Sequence, residues 1–160
     1  MSTTYHYISF IDYSKAFDSI SHNSIWQALL TQGINTNYVE IVKEIYKNST
    51  SRFKLETPGP PFKIGRGVKE GDPMSSKLFI AILEQVFRAL DWQNKGLKLH
   101  GRALSYLRFA DDIMLLSEDS REMKLMLHSL SQESRKVCLE INQEKTKVIT
   151  NKEQVSMILN

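Results

Sequence analysis

The stretch LRFADDIMLL, Leu107 to Leu116, places two adjacent acidic residues between two apolar runs. Side by side, the charges of Asp111 and Asp112 repel each other, so their arrangement needs an explanation. One interpretation is a turn between two β-strands, because Asp is common in turns and the flanking residues are typical of strands. The other is a metal site, because a divalent cation compensates for clustered carboxylates. Taken alone, the stretch favours the turn.

Composition indicates an ordinary globular chain with an uneven charge. Its 160 residues are 41% hydrophobic and 24% charged, with a net charge of +3, which is typical of a single domain with a real core. The segment Lys43 to Lys77 contains eight Lys or Arg residues against four acidic residues, an excess of four positive charges. Such a bias suits a polyanion-binding surface, and a solvated protein face accounts for it equally well.

The chain has no sequence feature of a secreted or membrane-inserted protein. Cys138 is the single cysteine, so no internal disulfide forms, which is typical of a reducing compartment. No apolar run reaches membrane-spanning length, and the N-terminus lacks the basic start and apolar core of a secretion signal. We therefore expect an intracellular protein, nuclear or cytoplasmic, with no membrane partner.

Hydrophobic periodicity predicts an α+β chain. The order is strand, two helices, strand, breaker-rich loop, helix, hairpin, helix and strand. Strands are predicted over residues 5–12, 51–56, 97–99, 104–109 and 113–116, and helices over residues 21–33, 36–48 and 75–90. A further helix carries Met123, Met126, Leu127 and Leu130, and the chain finishes with LEIN, QEKTKVIT and a polar tail. Asp119 and Glu122 form a capping-box pair at the start of the last helix. This order favours a split βαβ (ferredoxin-like) antiparallel sheet with helices on one face.

This arrangement brings a third acidic residue to the pair. Asp12 ends the first predicted strand, and Asp111 and Asp112 lie at the hairpin tip. In a split βαβ sheet these two elements can be central neighbours, so the three carboxylates would meet at one sheet edge. Hard oxygen ligands of this kind suit Mg²⁺, and two such ions can activate an attacking hydroxyl and stabilise leaving pyrophosphate. The sequence thus predicts phosphoryl transfer on nucleic acid.

Four segments then carry a family resemblance. FIDYSKAFDSI, GRGVKEGDPMSSKLF, LRFADDIMLLSE and VCLEINQEKTKVI resemble, in order, motifs A, B, C and D of a reverse transcriptase palm. They are most similar to those of non-LTR retrotransposons, and the residues around them resemble those of the RTE (BovB-like) group. The resemblance implies that residues 1–160 are a single partial reverse transcriptase domain. Most of the fingers, the primer grip, the thumb and the endonuclease of a longer polyprotein would be missing.

The resemblance also assigns roles near the acids. Asp12 and Asp111 would ligate two Mg²⁺ ions, for which Mn²⁺ would substitute, with Asp112 as the third acid. The backbone at Tyr13 would approach a metal or the incoming triphosphate. Lys145 matches the lysine that would protonate leaving pyrophosphate, although an exposed surface lysine is an equal alternative.

Three further positions would contact the incoming nucleotide. Phe17 falls where the family places an aromatic steric gate, whose ring leaves no room for a ribose 2′-hydroxyl; a core phenylalanine is the alternative. Glu70 stands where the family usually has glutamine, and its carboxylate would bring like charge near the triphosphate. Gly71 would form, with the two residues after it, a turn opening the next helix and permitting close backbone approach. Ser76, where proline is usual, and Cys138, where glycine is usual, are the other departures from the family's pattern.

Two functions therefore remain open. The first is an RNA-directed DNA polymerase that extends a primer 3′-hydroxyl with deoxynucleoside triphosphates on an RNA template. The second is a catalytically inactive, retroelement-derived module that binds nucleic acid or protein. The intact acids and Phe17 favour the enzyme, whereas Glu70 and the missing fingers and thumb favour the module. Another palm enzyme, such as a nucleotide cyclase, would need a different loop signature.

Overall fold

The computed structural model describes residues 6–47, 50–51, 62–63, 65–69 and 71–151. The chain divides into two compact units. The sheet unit comprises Met1–Ser14 and Val86–Asn160, and the helical unit comprises Lys15–Gln85. The elements in chain order are β1 (Tyr7–Ile11), α1 (Ala16–Ser19), α2 (His22–Thr31), α3 (Thr36–Lys47), β2 (Thr50–Ser51), β3 (Phe62–Lys63), α4 (Pro73–Arg88), β4 (Leu97–Leu99), β5 (Arg102–Leu104), β6 (Tyr106–Phe109), β7 (Asp112–Ser117), α5 (Ser120–Lys136) and β8 (Lys147–Thr150).

The sheet unit contains a four-stranded antiparallel sheet in the order β6-β7-β1-β8. The first strand lies in the middle, with β7 on one side and β8 on the other. In the β1–β7 register Tyr7 pairs with Ser117 and Ile11 pairs with Ile113. The start and the later part of the chain are therefore adjacent in the centre of the sheet, as the split βαβ prediction requires.

Helix α5 covers one face of this sheet. Alternate residues of β1, Tyr7, Ser9 and Ile11, are buried, because successive side chains of a strand point to opposite faces. The helix buries a stripe at helical spacing, which is formed by Met123, Met126, Leu127 and Leu130. Phe10, Leu107 and Ile149 lie in the same sheet and are exposed.

Two local predictions of the sequence need correction. The strand predicted over residues 104–109 is interrupted at Ser105, whose hydroxyl donates to the carbonyls of Trp92 and Lys95. The capping box at α5 forms only in one direction. Asp119 accepts from the Glu122 N–H, but the Glu122 carboxylate accepts from the Gly96 N–H instead of the Asp119 N–H.

The helical unit is built around α2, α3 and most of α4. Its core consists of buried residues from these helices, with Ile25 and Ala28 from α2, Val39 from α3, and Phe79, Ile82 and Leu83 from α4. The Gln32 side-chain amide donates to the Ala81 carbonyl and ties the end of α2 to α4. Most of the strand predicted over residues 51–56 lies outside the described residues.

Helix α4 begins two residues before its predicted start. Pro73 is its first residue, where the missing N–H of proline costs nothing. The Asp72 carboxylate accepts from the Met74 N–H and caps the first turn. In the described part of the chain, none of the helices combines the length and apolar character needed to cross a bilayer.

Candidate active site

The candidate site lies at the sheet edge where β1 ends and β7 begins. Asp12 follows Ile11, and Asp112 precedes Ile113, the residue paired with Ile11. Extending this register by one residue places Asp12 opposite Asp112. Ile11 and Ile113 are buried, so alternation directs both Asp side chains to the other face of the sheet. The structure thus brings acids from distant parts of the sequence to neighbouring strand positions.

Asp111 lies in the tight turn between β6 and β7. Phe109 pairs with Asp112, which leaves Ala110 and Asp111 as a two-residue turn. Ala110 has a left-handed φ of 53°, and a positive φ at the first turn position matches the twist of a tight hairpin. The turn that the sequence favours at this stretch is therefore present, with Asp111 as its second residue.

The loop before β8 fixes the main chain of Asp12. Its N–H donates to the Thr146 hydroxyl over 3.4 Å, and its carbonyl accepts from the Asn142 N–H over 2.8 Å. The Ser14 N–H donates to the Glu140 carbonyl over 2.8 Å and extends the same contact. Both main-chain groups of Asp12 are thus used by residues 142–146, and only its side chain remains available.

Tyr13 has a buried side chain, and the strand geometry directs its main chain toward β7. Its hydroxyl hydrogen-bonds the Ser134 hydroxyl of α5 at 2.7 Å. Burial raises the pKa of Tyr13 to about 12, against smaller lowering effects of Ser134 and of the Arg108 charge. Successive residues of a strand direct their main-chain groups to opposite sides. Since those of Asp12 turn toward residues 142–146, those of Tyr13 turn toward the side of Asp111.

Lys145 lies close to the first acid. Its Nζ is 4.0 Å from the Asp12 carboxylate, and its side chain is 69% exposed against 41% for Asp12. The Asn142 side-chain carbonyl accepts from the N–H groups of Glu144 and Lys145, which shapes the tight turn that carries the lysine. An exposed ion pair of this kind contributes little stability, so the lysine remains free to contact other anions.

The donor set at this edge fits a hard divalent cation, although the side chains do not converge on one. Asp12, Asp111 and Asp112 supply only carboxylate oxygens, the ligands that Mg²⁺ and Mn²⁺ prefer. Among the described residues, no three His, Cys, Asp or Glu side chains are arranged to hold a metal ion. Asp111 and Asp112 are exposed and Asp12 is partly exposed, so their rotamers can change without disturbing the core.

Phe17 and Gly71, two of the residues predicted to contact the nucleotide, belong to the helical unit. Phe17 of α1 stacks on Phe79 of α4, with ring centroids 5.0 Å apart and an interplanar angle of 21°. Phe17 is only partly buried, which agrees with both of its predicted roles. Gly71 adopts a left-handed φ of 82°, and among the described residues beyond its chain neighbours no atom lies within 4 Å of a Cβ placed there. Glu70 lies outside the described residues.

Sequence reasoning missed the residues that hold these groups in place. Asn142, Thr146 and Ser134 contact Asp12 and Tyr13 across long sequence separations, and no local pattern indicates such partners. Arg108 places its guanidinium 5.1 Å from the Phe87 ring centroid. A possible signal for Asn142 was its spacing from Lys145, since Asn often accepts from main-chain groups two or three residues later.

Comparison with known proteins identifies relatives over nearly the whole chain. Residues 1–158 match the family model described as reverse transcriptase (RNA-dependent DNA polymerase). The chain is 34% identical over 122 residues to the Retrovirus-related Pol polyprotein from type-1 retrotransposable element R2 of Nasonia vitripennis. That match covers 76% of this chain and 12% of the relative. The Pol polyprotein from element R2DM of Drosophila melanogaster is 31% identical to this chain. That match covers 87% of this chain and 13% of the relative.

Solved structures agree on the fold. An apo telomerase from Candida tropicalis, truncated from its C-terminal domain, superimposes with a TM-score of 0.70 and 19% identity. The match covers 97% of this chain and 32% of the telomerase. Telomerase from the same organism in complex with a TWJ fragment of telomeric RNA also gives 0.70, covering 94% of this chain and 26% of that one. These matches confirm the predicted palm-type fold.

Proposed function

This chain belongs to the reverse transcriptase (RNA-dependent DNA polymerase) family, of the non-LTR retrotransposon type, and from that premise we propose that it is the palm of an RNA-directed DNA polymerase. The proposed reaction is nucleotidyl transfer from a deoxynucleoside triphosphate to a primer 3′-hydroxyl on an RNA template. The observation that carries the proposal is the β1–β7 pairing, which puts Asp12 beside Asp112.

We propose Asp12, Asp111 and Asp112 as the ligands of two Mg²⁺ ions, for which Mn²⁺ can substitute. The family generally uses divalent metals, and these ions would activate the attacking hydroxyl and stabilise the leaving pyrophosphate. The contribution of the chain itself is orientation. Its main-chain bonds to Asn142 and Thr146 hold Asp12 in register with the hairpin, while the carboxylates stay exposed to incoming ligands.

Tyr13 and Lys145 take supporting roles in this proposal. The direction of the Tyr13 main chain supports an approach of its carbonyl or N–H to a metal or to the triphosphate. Lys145 is proposed to protonate pyrophosphate as it leaves, and the 4.0 Å distance from its ammonium to the Asp12 carboxylate supports this assignment. A general acid must lie within reach of the reacting group, and a position beside a proposed metal ligand favours such reach.

Phe17, Glu70 and Gly71 are proposed to contact the incoming nucleotide. The partly exposed ring of Phe17, held from one side by Phe79, supports its assignment as the steric gate for deoxynucleotides. The left-handed φ of Gly71 and the open space around its Cα support close approach of a ligand to the backbone. Glu70 would place a carboxylate where an amide is usual, and this is the main argument for the alternative function, an inactive binding module.

The wider setting is also proposed. The chain spans 12% and 13% of the first two relatives, so we infer that fingers, primer grip, thumb and endonuclease belong to a longer protein, of which residues 1–160 are one partial domain. The residues of the four motifs support membership of the RTE (BovB-like) group. A phylogenetic tree of the four motifs with R2 and RTE sequences tests this assignment. We also propose an intracellular location, nuclear or cytoplasmic.

Primer extension on an RNA template, with Mg²⁺ or Mn²⁺, tests the activity. We expect deoxynucleotide incorporation that the double substitution Asp111→Ala/Asp112→Ala abolishes. Asp91→Ala is the matched control, because Asp91 is an exposed acid outside the candidate site. Binding of Mn²⁺, followed by electron paramagnetic resonance, should likewise be lost in the double variant and kept in the control.

Two results would contradict the proposal. Incorporation that survives in the double variant would remove Asp111 and Asp112 from the chemistry. Template and primer binding with no incorporation and no Mn²⁺ binding would instead favour the inactive module. Restoring glutamine at position 70 (Glu70→Gln) separates a single damaging substitution from a site that lacks metal affinity altogether.

A further inference from the structure

The loop of residues 65–69 contacts α1 so closely that only glycine fits at position 67. A Cβ on Gly67 would lie 2.8 Å from the Asp18 carbonyl oxygen and 2.9 Å from both the Asp18 Cα and the Phe17 carbonyl oxygen. All three neighbours are main-chain atoms, so none can move away as a side chain would. Gly67 also has a φ of 83°, which side-chain-bearing residues rarely adopt.

Hydrogen bonds run along the whole of this contact. The Val68 N–H donates to the Phe17 carbonyl over 2.7 Å, and the Gly67 N–H donates to the Ile20 carbonyl over 2.8 Å. Ser21 and Arg66 form an antiparallel bridge at the end of the contact. The loop is therefore bonded to the chain immediately around α1, an element of only four residues that has little stability of its own.

The side chain of His22 closes the same contact from α2. Its Nε2 lies 2.8 Å from the Gly67 carbonyl oxygen, and because a carbonyl only accepts, this nitrogen carries the proton. The imidazole is held in place by two other rings. The Tyr46 ring meets it edge-on with centroids 5.1 Å apart, and the Trp26 ring lies at 5.9 Å. The donor is thus aimed at Gly67 by packing.

These contacts fix the position of Phe17. Its carbonyl is held by the Val68 N–H, and its ring is held by the buried Phe79 ring. A residue that excludes a ribose 2′-hydroxyl by steric contact has to be placed to within a fraction of an ångström, because a single oxygen atom separates the two sugars. Phe17 therefore needs such support on both its main chain and its ring.

We propose that Gly67 and His22 are positioning residues for sugar discrimination, which act by holding α1 so that the Phe17 ring keeps its place. The inference rests on the proposed function of Phe17 and adds two residues that the motif resemblance does not assign. Neither residue is assigned contact with the nucleotide; each acts through the loop contact with α1.

The test compares the preference for deoxynucleotides over ribonucleotides, as a ratio of kcat/KM values, among matched variants. Gly67→Ala is paired with Gly33→Ala, since Gly33 has the same φ of 83° but, in the part of the chain that the structure describes, no atom beyond its chain neighbours within 4 Å of an added Cβ. His22→Phe, which keeps the ring but loses the donor, is paired with His128→Phe on the exposed side of α5. His22→Gln offers an amide donor at a similar reach and should restore the wild-type preference.

We expect Gly67→Ala to lower this preference by about tenfold, because small misplacements of positioning groups have large kinetic effects. We expect His22→Phe to lower it by about fivefold, the effect of one lost hydrogen bond. Hydrogen exchange at the Gly67 and Val68 amides should accelerate in both variants and stay unchanged in the two controls. This second measurement requires no turnover.

Phe17→Val separates the possible failures. Suppose that Phe17→Val lowers the preference but Gly67→Ala and His22→Phe behave like their controls. The positioning role of Gly67 and His22 is then overturned, and the assignment of Phe17 as the steric gate is retained. If Phe17→Val has no effect on the preference, the gate assignment falls and the inference falls with it. Unchanged amide exchange in His22→Phe would overturn the contribution of His22 independently of any nucleotide assay.

Discussion

Replacing Cys138 with glycine is expected to stabilise the protein. Cys138 follows the last residues of α5 and has a left-handed φ of 65°. The Leu139 N–H donates to the Ser134 carbonyl and the Cys138 N–H donates to the Arg135 carbonyl, each over 3.0 Å. This pair of bonds is the Schellman motif, whose left-handed position is usually occupied by glycine. Cys138 therefore occupies a position where the backbone favours glycine.

The expected gain follows from two opposing terms. A side-chain-bearing residue in the left-handed region costs about 1–2 kcal/mol, which Cys138→Gly removes. Glycine gives the unfolded chain more conformational freedom, which costs about 0.5–1 kcal/mol. We therefore expect the free energy of unfolding to rise by about 0.5–1 kcal/mol and the Tm to rise by about 1–4 °C for a chain of this size.

Urea denaturation under reducing conditions measures this change, and Cys138→Ala is its matched control. Alanine removes the thiol but keeps the Cβ, so it retains the backbone strain and reports only the loss of sulfur packing. The reasoning is refuted if the glycine variant is no more stable than the alanine variant. A gain in both variants would instead assign the effect to the thiol.

The remaining predictions concern the candidate site. Lys145→Met should lower the single-turnover rate of incorporation by about 10²–10⁴-fold, whereas Lys147→Met on the adjacent strand should not; equal effects would deny Lys145 an acid role. Tyr13→Phe should remove a loss of stability at high pH. Burial raises the pKa of Tyr13 to about 12 in the folded protein, against about 10 in the unfolded chain. The wild type should therefore lose about 2–3 kcal/mol of its free energy of unfolding as the pH rises from 10 to 12. An equal loss in wild type and Tyr13→Phe would contradict this. Thr146→Val, which removes the acceptor for the Asp12 N–H, should cost about 1 kcal/mol in urea unfolding and slow incorporation, and Thr146→Ser should restore both.

Helical periodicity predicted the long helices well, because each buries one face against its own unit. The ends of α2 and α3 agree with the prediction to within about two residues, the usual ambiguity of helix ends. The sheet was predicted in type and in its central pairing. The break at Ser105 was not predicted, because it depends on carbonyls of Trp92 and Lys95 that become neighbours only after folding.

The sequence likewise predicted the residues of the candidate site but not their main-chain contacts. Local sequence patterns predict strand ends and turns, so the sequence alone assigned Asp12 and the Asp111–Asp112 pair to one edge of the sheet. The partners of their main chain could not be assigned. Thr146 lies 134 residues from Asp12, and Ser134 lies 121 residues from Tyr13. Gly67 was visible only as one of several glycines in a breaker-rich stretch.

The contacts around Asp12 separate the atoms that hold the chain in place from the atoms that carry charge. The position of Asp12 depends on main-chain hydrogen bonds to Asn142 and Thr146, and the next residue is anchored by the buried hydroxyl of Tyr13. None of these bonds uses a carboxylate. Because the bonds that fix the chain and the charges lie on different atoms, the carboxylates can stay exposed while the strand beneath them remains fixed. The same separation appears in the helical unit, where Gly67 and His22 bond the main chain around Phe17 and leave part of its ring exposed.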